Sequence, residues 1–206
     1  FREDSAAFTV EVSVKDGYEL SEFTFTDAGG NVTKGKNGKL TFSATRSGTI
    51  CVVARKKHTG EPLSVHAGIV ASGYSMYFLS PEGKLYSWGY GGSGILGYTA
   101  SGNVNRPQLV MEGVAKIAAC HSNDCENGNR ESSIAILTVY GEVYTVGRND
   151  AGQLGRTTTP TTLAPIAFSG NVTDISMGYD HLILIDDEKT LWGTGNNRYG
   201  QLGKSG

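Results

Sequence analysis

Tyr144-Thr-Val-Gly147-Arg-Asn-Asp-Ala-Gly152-Gln-Leu-Gly155 decides the fold, because the same twelve-residue segment is met three times in this chain. The other copies are Tyr86-Ser-Trp-Gly89-Tyr-Gly-Gly-Ser-Gly94-Ile-Leu-Gly97 and Trp192-Gly-Thr-Gly195-Asn-Asn-Arg-Tyr-Gly200-Gln-Leu-Gly203. Four positions are identical throughout: Gly89, Gly147 and Gly195; Gly94, Gly152 and Gly200; Leu96, Leu154 and Leu202; Gly97, Gly155 and Gly203. From Gly97 to Gly155 is 58 residues and from Gly155 to Gly203 is 48, the difference lying in an extra loop of the middle copy near Ser122 to Ser132. A repeat of this length points to a propeller or a solenoid.

Upstream of each copy the same grammar returns. Val70-Ala-Ser-Gly73 precedes Glu82-Gly-Lys-Leu85, Ile117-Ala-Ala-Cys120 precedes Tyr140-Gly-Glu-Val143, and Ile175-Ser-Met-Gly178 precedes Glu188-Lys-Thr-Leu191. Each unit reads as strand, turn, strand, tight turn, strand and Gly-rich loop. Such a sheet is too small to fold alone and must stack on its neighbours. The glycines are expected where the backbone turns sharply or passes close to the next sheet, and the Leu between the last two glycines is expected to plug the space between sheets.

Trp88-Gly89, Asn149-Asp-Ala-Gly-Gln-Leu-Gly155, Asn197-Arg-Tyr-Gly-Gln-Leu-Gly203 and Gly178-Tyr-Asp-His181 closely resemble the repeat of the regulator of chromosome condensation (RCC1) family. The resemblance covers residues 65 to 206 and implies an all-β fold, a seven-bladed β-propeller of which this chain holds about three blades. The expected blades are residues 65 to 110, 111 to 168 and 169 to 206, the last one partial. Two positions depart from the pattern: Ile95 stands where Gln is expected, and Cys120 where the other copies have Gly73 and Gly178. At this spacing a closed ring needs roughly 350 residues, so the remaining blades are expected from further sequence or from other subunits.

Ahead of the repeats, Phe8-Thr-Val-Glu-Val-Ser-Val14 alternates apolar and polar residues and puts Phe8, Val10, Val12 and Val14 on one face of a strand. Phe23 and Phe25 repeat the alternation, and Leu40 to Phe42 and Thr49 to Ala54 read as further strands between Gly-rich turns. Residues 5 to 57 are therefore expected to form a small β-sandwich or β-grasp-like domain, with residues 58 to 64 as its linker. The strand, the Asp-Gly-Tyr-Glu-Leu segment and the Thr-rich close resemble bacterial surface Ig-like modules and the divergent internalin B-repeats, which implies a spacer or adhesive role outside the cell.

Composition narrows the function classes. The net charge of -2 and pI near 6.1 give no basic field for nucleic acid, and no apolar run is long enough to span a bilayer. The 29 glycines among 206 residues imply many tight turns. The chain begins at Phe1, which reads as a trimmed or partial piece of something longer. Cys120 and Cys125 are close enough in sequence to bridge within one loop and are a candidate disulfide, although spacing does not fix the geometry. Together with His121 they fall one ligand short of a zinc site, so no metal is expected.

Gly89-Tyr-Gly91-Gly-Ser-Gly94 satisfies the dinucleotide-binding pattern formally, but no helix pattern follows it, and Asn149 and Asn197 replace its inner glycine in the other copies. No cofactor is expected. Asp180-His181 and the Asp186-Asp187-Glu188 turn bring carboxylates near a histidine without forming a legible catalytic set, so no catalytic residue is assigned. The sequons Asn31-Val-Thr33 and Asn171-Val-Thr173 matter only in a eukaryotic secretory pathway.

The expected function is a non-catalytic protein-interaction or adhesive module on an extracellular surface, a bacterial envelope or a phage virion, with another protein or a surface glycan as partner. The alternatives are an intracellular RCC1-like exchange factor or scaffold, and a carbohydrate-binding head using the loop aromatics Tyr90, Tyr98 and Tyr199.

Overall fold

The computed structural model describes residues 7–14, 18–36, 38–43, 48–56, 60–100, 102–120, 132–157 and 161–204. The chain divides into two compact units, Phe1–Lys57 and His58–Gly206.

In the first unit, β1 (Ala7–Glu11) pairs with β4 (Lys39–Ser43), and β2 (Tyr18–Asp27) lies between β3 (Val32–Lys34) and β5 (Gly48–Lys56). All pairings are antiparallel. The alternation of the sequence sets the core: Phe23 and Phe25 of β2 and Leu40 of β4 are buried, with Val10, Val12 and Leu20 packed against them. The strand expected over residues 8 to 14 stops at Glu11; Val12 continues by donating its N–H to the Gly38 carbonyl.

The second unit consists of three antiparallel sheets. Strands β6 (Gly68–Ser72), β7 (Ser75–Leu79), β8 (Leu85–Gly89) and β9 (Val104–Met111) form the first in sequential order. Strands β10 (Val114–Ala119), β11 (Ser133–Thr138), β12 (Val143–Gly147) and the short β13 (Ala164–Pro165) form the second, and β14 (Val172–Met177), β15 (His181–Asp186) and β16 (Leu191–Gly195) the third. These are blades of an incomplete β-propeller. Strand β11, Ser133-Ile-Ala-Ile-Leu-Thr138, is buried along its whole length, as a strand sandwiched between sheets must be.

The unit has two cores, one at each joint between blades. Tyr77, Leu79, Leu85, Val114, Ile117, Ile134 and Val146 fill the first joint, and Ala115, Leu137, Val143, Val172, Ile175, Leu182 and Leu184 the second. Each joint is also closed by a backbone bond. The Val114 N–H donates to the Gly83 carbonyl and the Val172 N–H to the Gly141 carbonyl, each at 3.0 Å. Gly83 and Gly141 have φ of 78° and 79°, and a Cβ on either would lie 3.1 Å from the carbonyl oxygen of the docking valine. Both the left-handed backbone and the close approach therefore require glycine.

A side chain organises each of these hairpin turns. The N–H of Lys84 reaches Ser80 Oγ, that of Glu142 reaches Thr138 Oγ1, and that of Thr190 reaches Asp186 Oδ1. Asp186 also accepts from the Glu188 N–H and from Trp192 Nε1, so the acidic turn is a folding element.

Both tryptophans, Trp88 and Trp192, lie in the second unit and report on it alone. Leu40→Ala, which empties a fully buried site, is expected to cost the first unit about 2–5 kcal/mol while leaving tryptophan fluorescence and its denaturation midpoint unchanged. A matching loss of the tryptophan transition would show that the two cores do not fold separately.

Candidate functional site

In a four-stranded antiparallel blade, the turn after the first strand and the long loop after the third emerge at the same end. The repeated Gly-rich segments thus share one face, the loop face, with residues 73–74 and 178–180. Three equivalent bonds build it: Tyr90 N–H to the Tyr74 carbonyl, Arg148 N–H to the Ser132 carbonyl and Asn196 N–H to the Asp180 carbonyl, at 2.9 to 3.0 Å.

The first repeated glycine is fixed by crowding. A Cβ at Gly89, Gly147 or Gly195 would fall on the carbonyl oxygen of Tyr74, Ser132 or Asp180, and their φ values lie between 104° and 110°. Gly94 is crowded in the same way by the Thr161 carbonyl. Gly152 and Gly200 are different: their φ is 77° and nothing lies within 4 Å of an added Cβ. The constraint there is backbone conformation alone, the sharp turn expected of these glycines. The last glycines close each loop by a turn bond, Gly97 to Gly94, Gly155 to Gly152 and Gly203 to Gly200. Leu96 is buried in the first joint and Leu154 in the second, whereas Leu202 of the third blade is half-buried.

Two repeated polar residues stiffen the loops. Asn149 Oδ1 accepts from the Leu154 N–H while its Nδ2 donates to the Arg156 carbonyl; Asn197 makes the same pair of bonds to Leu202 and Lys204. The Gln153 and Gln201 side chains turn back to accept from the N–H groups of Ala151 and Tyr199. Ile95 replaces this glutamine in the first blade, and its Cδ1 packs 3.0 Å from where a Gly147 Cβ would stand, in the adjacent blade. Loop ends are tied to strands by Ser87 Oγ on the Leu96 carbonyl and Thr145 Oγ1 on the Leu154 carbonyl. Gly193 occupies the equivalent place in the third blade.

The loop face also carries tyrosines and arginines. The Arg148 guanidinium lies 4.8 Å over the Tyr179 ring, and its Nε donates to Asp150 at 2.7 Å. That carboxylate holds the guanidinium above its ordinary value against the effect of burial. Arg198 lies 5.7 Å from the Tyr199 ring centroid, and Tyr199 is 82% exposed. Tyr74 and Tyr179 are exposed as well. Tyr90 and Tyr98, expected as binding-loop aromatics, instead pack against the first-joint core, with Tyr98 Oη donating to the Ser87 carbonyl.

The other singled-out residues have structural surroundings. Asp180 contacts His181 Nδ1 at 3.4 Å and accepts from Asn196. Burial raises the Asp180 carboxyl, but its hydrogen bonds outweigh that and hold it below the ordinary range. Cys120 is a free, buried thiol that accepts from the Ser133 N–H, and burial pushes its pKa up. The candidate bridge is therefore not formed at its Cys120 end; Cys125 and His121 lie outside the described residues. Asn171 is buried and donates to Asp187, which leaves its sequon inaccessible in the fold. Among the described residues there is no group of three metal-capable side chains.

Residues 82–123 and 140–185 match the family model of the regulator of chromosome condensation (RCC1) repeat, and residues 172–201 match a second RCC1-repeat model. The chain is 34% identical over 132 residues to the zebrafish (Danio rerio) protein RCC2 homolog, covering 61% of this chain and 25% of that protein. It is 32% identical over 136 residues to the human (Homo sapiens) E3 ubiquitin-protein ligase HERC2, covering 62% of this chain and 3% of that one. The structure of Kap60 bound to yeast RCC1 (Prp20) contains a chain of similar fold, with a TM-score of 0.54 and 13% identity over 94% of this chain and 47% of that chain. The present chain thus spans a quarter or less of these two relatives. These relatives, an RCC2 homolog and the E3 ubiquitin-protein ligase HERC2, are intracellular proteins, which corrects the expected extracellular, cell-surface or virion setting and the adhesive role built on it. The resemblance of residues 5 to 57 to Ig-like and internalin modules finds no support in these matches, and neither does a surface glycan as partner.

The two kinds of loop glycine are separable by mutation. Gly147→Ala is expected to cost about 3 kcal/mol or more, because the new methyl meets backbone that cannot yield, and Gly152→Ala about 1–2 kcal/mol from the left-handed strain alone. Gly152→Asn, whose side chain tolerates that conformation, should be near neutral in urea denaturation. Equal losses at Gly147 and Gly152 would refute the distinction.

Proposed function

The chain carries repeats of the RCC1 family, and from that premise we propose that it is part of an intracellular, non-catalytic protein-binding scaffold whose contact surface is the loop face of the blades. The repeated glycines, Asn149, Asn197, Gln153 and Gln201 hold the loops; Tyr74, Tyr179, Arg198 and Tyr199 make the contact, with Arg148 supporting Tyr179. The Arg148–Tyr179 stack carries this reading. Tyrosine and arginine are enriched among protein-interface hot spots, and each brings a large flat surface with hydrogen-bonding capacity. The Arg148 side chain, only 16% exposed and held by the bond to Asp150, braces the Tyr179 ring from below its face, so a partner meets an aromatic surface already held in place. The protein partner is of the class that RCC1-fold proteins engage, as the Kap60 complex of yeast RCC1 illustrates.

Immobilised chain, exposed to intracellular extract, is expected to retain a protein partner. The triple variant Arg148→Ala, Tyr179→Ala, Tyr199→Ala should lose at least about tenfold of that retention, since one central hot spot alone is worth about 2 kcal/mol or more, with little change in Tm. Undiminished retention by the folded variant would sink the assignment of the face. Faster nucleotide release from a small GTPase, sensitive to the same substitutions, would make the platform an exchange factor instead of a plain scaffold.

A further inference from the structure

Residues 60–67 reach the first blade from an unusual direction. The first strand of the second blade, β10, is entered from the outer strand of the blade before it, through Glu112-Gly113. The segment leading into β6 instead lies on the opposite end from the loop face, against the two blades that follow it. The Leu63 N–H donates to the carbonyl of Val139, in the β11–β12 turn of the second blade, at 2.9 Å. The His66 N–H donates to the carbonyl of Ala115 on β10 at 2.7 Å.

Ala115 can accept this bond because it sits at a bulge. Val114 pairs with Thr138 and Lys116 with Leu137, so Ala115 is the extra residue left out of the ladder. The side chains of the segment alternate accordingly. Leu63 packs against the core of the second joint and Val65 against that of the first, while Ser64 and His66 face outward. Val65 Cγ2 comes within 3.5 Å of the Cβ position of Gly83, the glycine that closes the first joint. Four residues thus span both joints with two main-chain bonds and two apolar side chains.

Main-chain bonds for affinity and alternate side chains for selection are how extended peptides are recognised at a sheet margin. We propose that the cleft running across the two blade joints on the turn side is a binding site for an extended apolar-x-apolar segment, and that Leu63-Ser-Val65-His66 fills it in cis as a built-in ligand. The cleft consists of the bulge carbonyl of Ala115, the turn carbonyl of Val139 and the apolar margins of the two cores. Its natural occupant is tethered, so the effective concentration of the strap excludes free peptides of ordinary affinity. The proposal stands apart from the loop face and survives if that reading fails.

The test uses the full chain and a fluorescein-labelled peptide of residues 60–67. In the Leu63→Asp, Val65→Asp variant the tethered strap no longer fits, and fluorescence anisotropy should show the wild-type peptide binding at least tenfold more tightly than to the wild-type chain. A peptide carrying the same two aspartates should bind neither. Circular dichroism and tryptophan fluorescence establish that the variant is folded; if it is not, Val65→Ser weakens the strap more gently and gives the same readout. A folded variant that takes up no peptide, or equal binding by wild type and variant, overturns the assignment.

Discussion

The second unit depends on a backbone bond, that from the first strand of one blade to the hairpin turn of the blade before it. Val114 meets Gly83 and Val172 meets Gly141 in the same geometry, and each bond sits at the margin of an apolar core that would be open to water without it. A buried N–H left without an acceptor costs about 1–3 kcal/mol, so these bonds select one angle and one depth at which adjacent blades dock. The third blade carries Lys189 at the equivalent place with φ of 66°, a left-handed conformation adopted without the glycine that the first two joints demand. Its turn is held by Asp186 from within, through N–H groups of Glu188 and Thr190.

With docking fixed at the turn end, the loop end is free to present side chains. Asn149 and Asn197 span five and seven residues with a single amide, and Gln153 and Gln201 fold under their own loops. The loop conformation is thereby determined by bonds inside the loop, from which Tyr199 projects 82% exposed. This division of labour explains why so regular a scaffold presents irregular surface chemistry.

Much of this was legible in the sequence, where identity repeats. The three Gly-x-Leu-Gly segments gave the sheets and their order, and the Phe23 and Phe25 alternation gave the first core. What escaped was of three physical kinds. Ser80, Thr138 and Asp186 do the same work with different side chains, so a search for identical residues passes over them. The strap at Leu63 to His66 is too short for a periodic signal, and its bonding partners Ala115 and Val139 lie far along the chain. Tyr90 and Tyr98 were read as surface aromatics because a Gly-rich loop usually lies outside; their rings fold inward onto the first joint, which no local pattern announces. The expectation of a setting outside the cell rests on residues 5 to 57, whose strand alternation is common to many small β folds, and the relatives that match the blades overturn it.

Amide hydrogen exchange at the joints tests the account most directly. The N–H groups of Val114 and Val172 are at the edge of their sheets and, in the absence of docking, would exchange as fast as other strand-edge amides. The account predicts that both are protected to the same degree as the buried amides of β11 and are released together with them in the global unfolding event. Rapid, independent exchange at Val114 and Val172 while β11 stays protected would show that the blades are held by their apolar cores alone, and that the turn glycines do not set the joint.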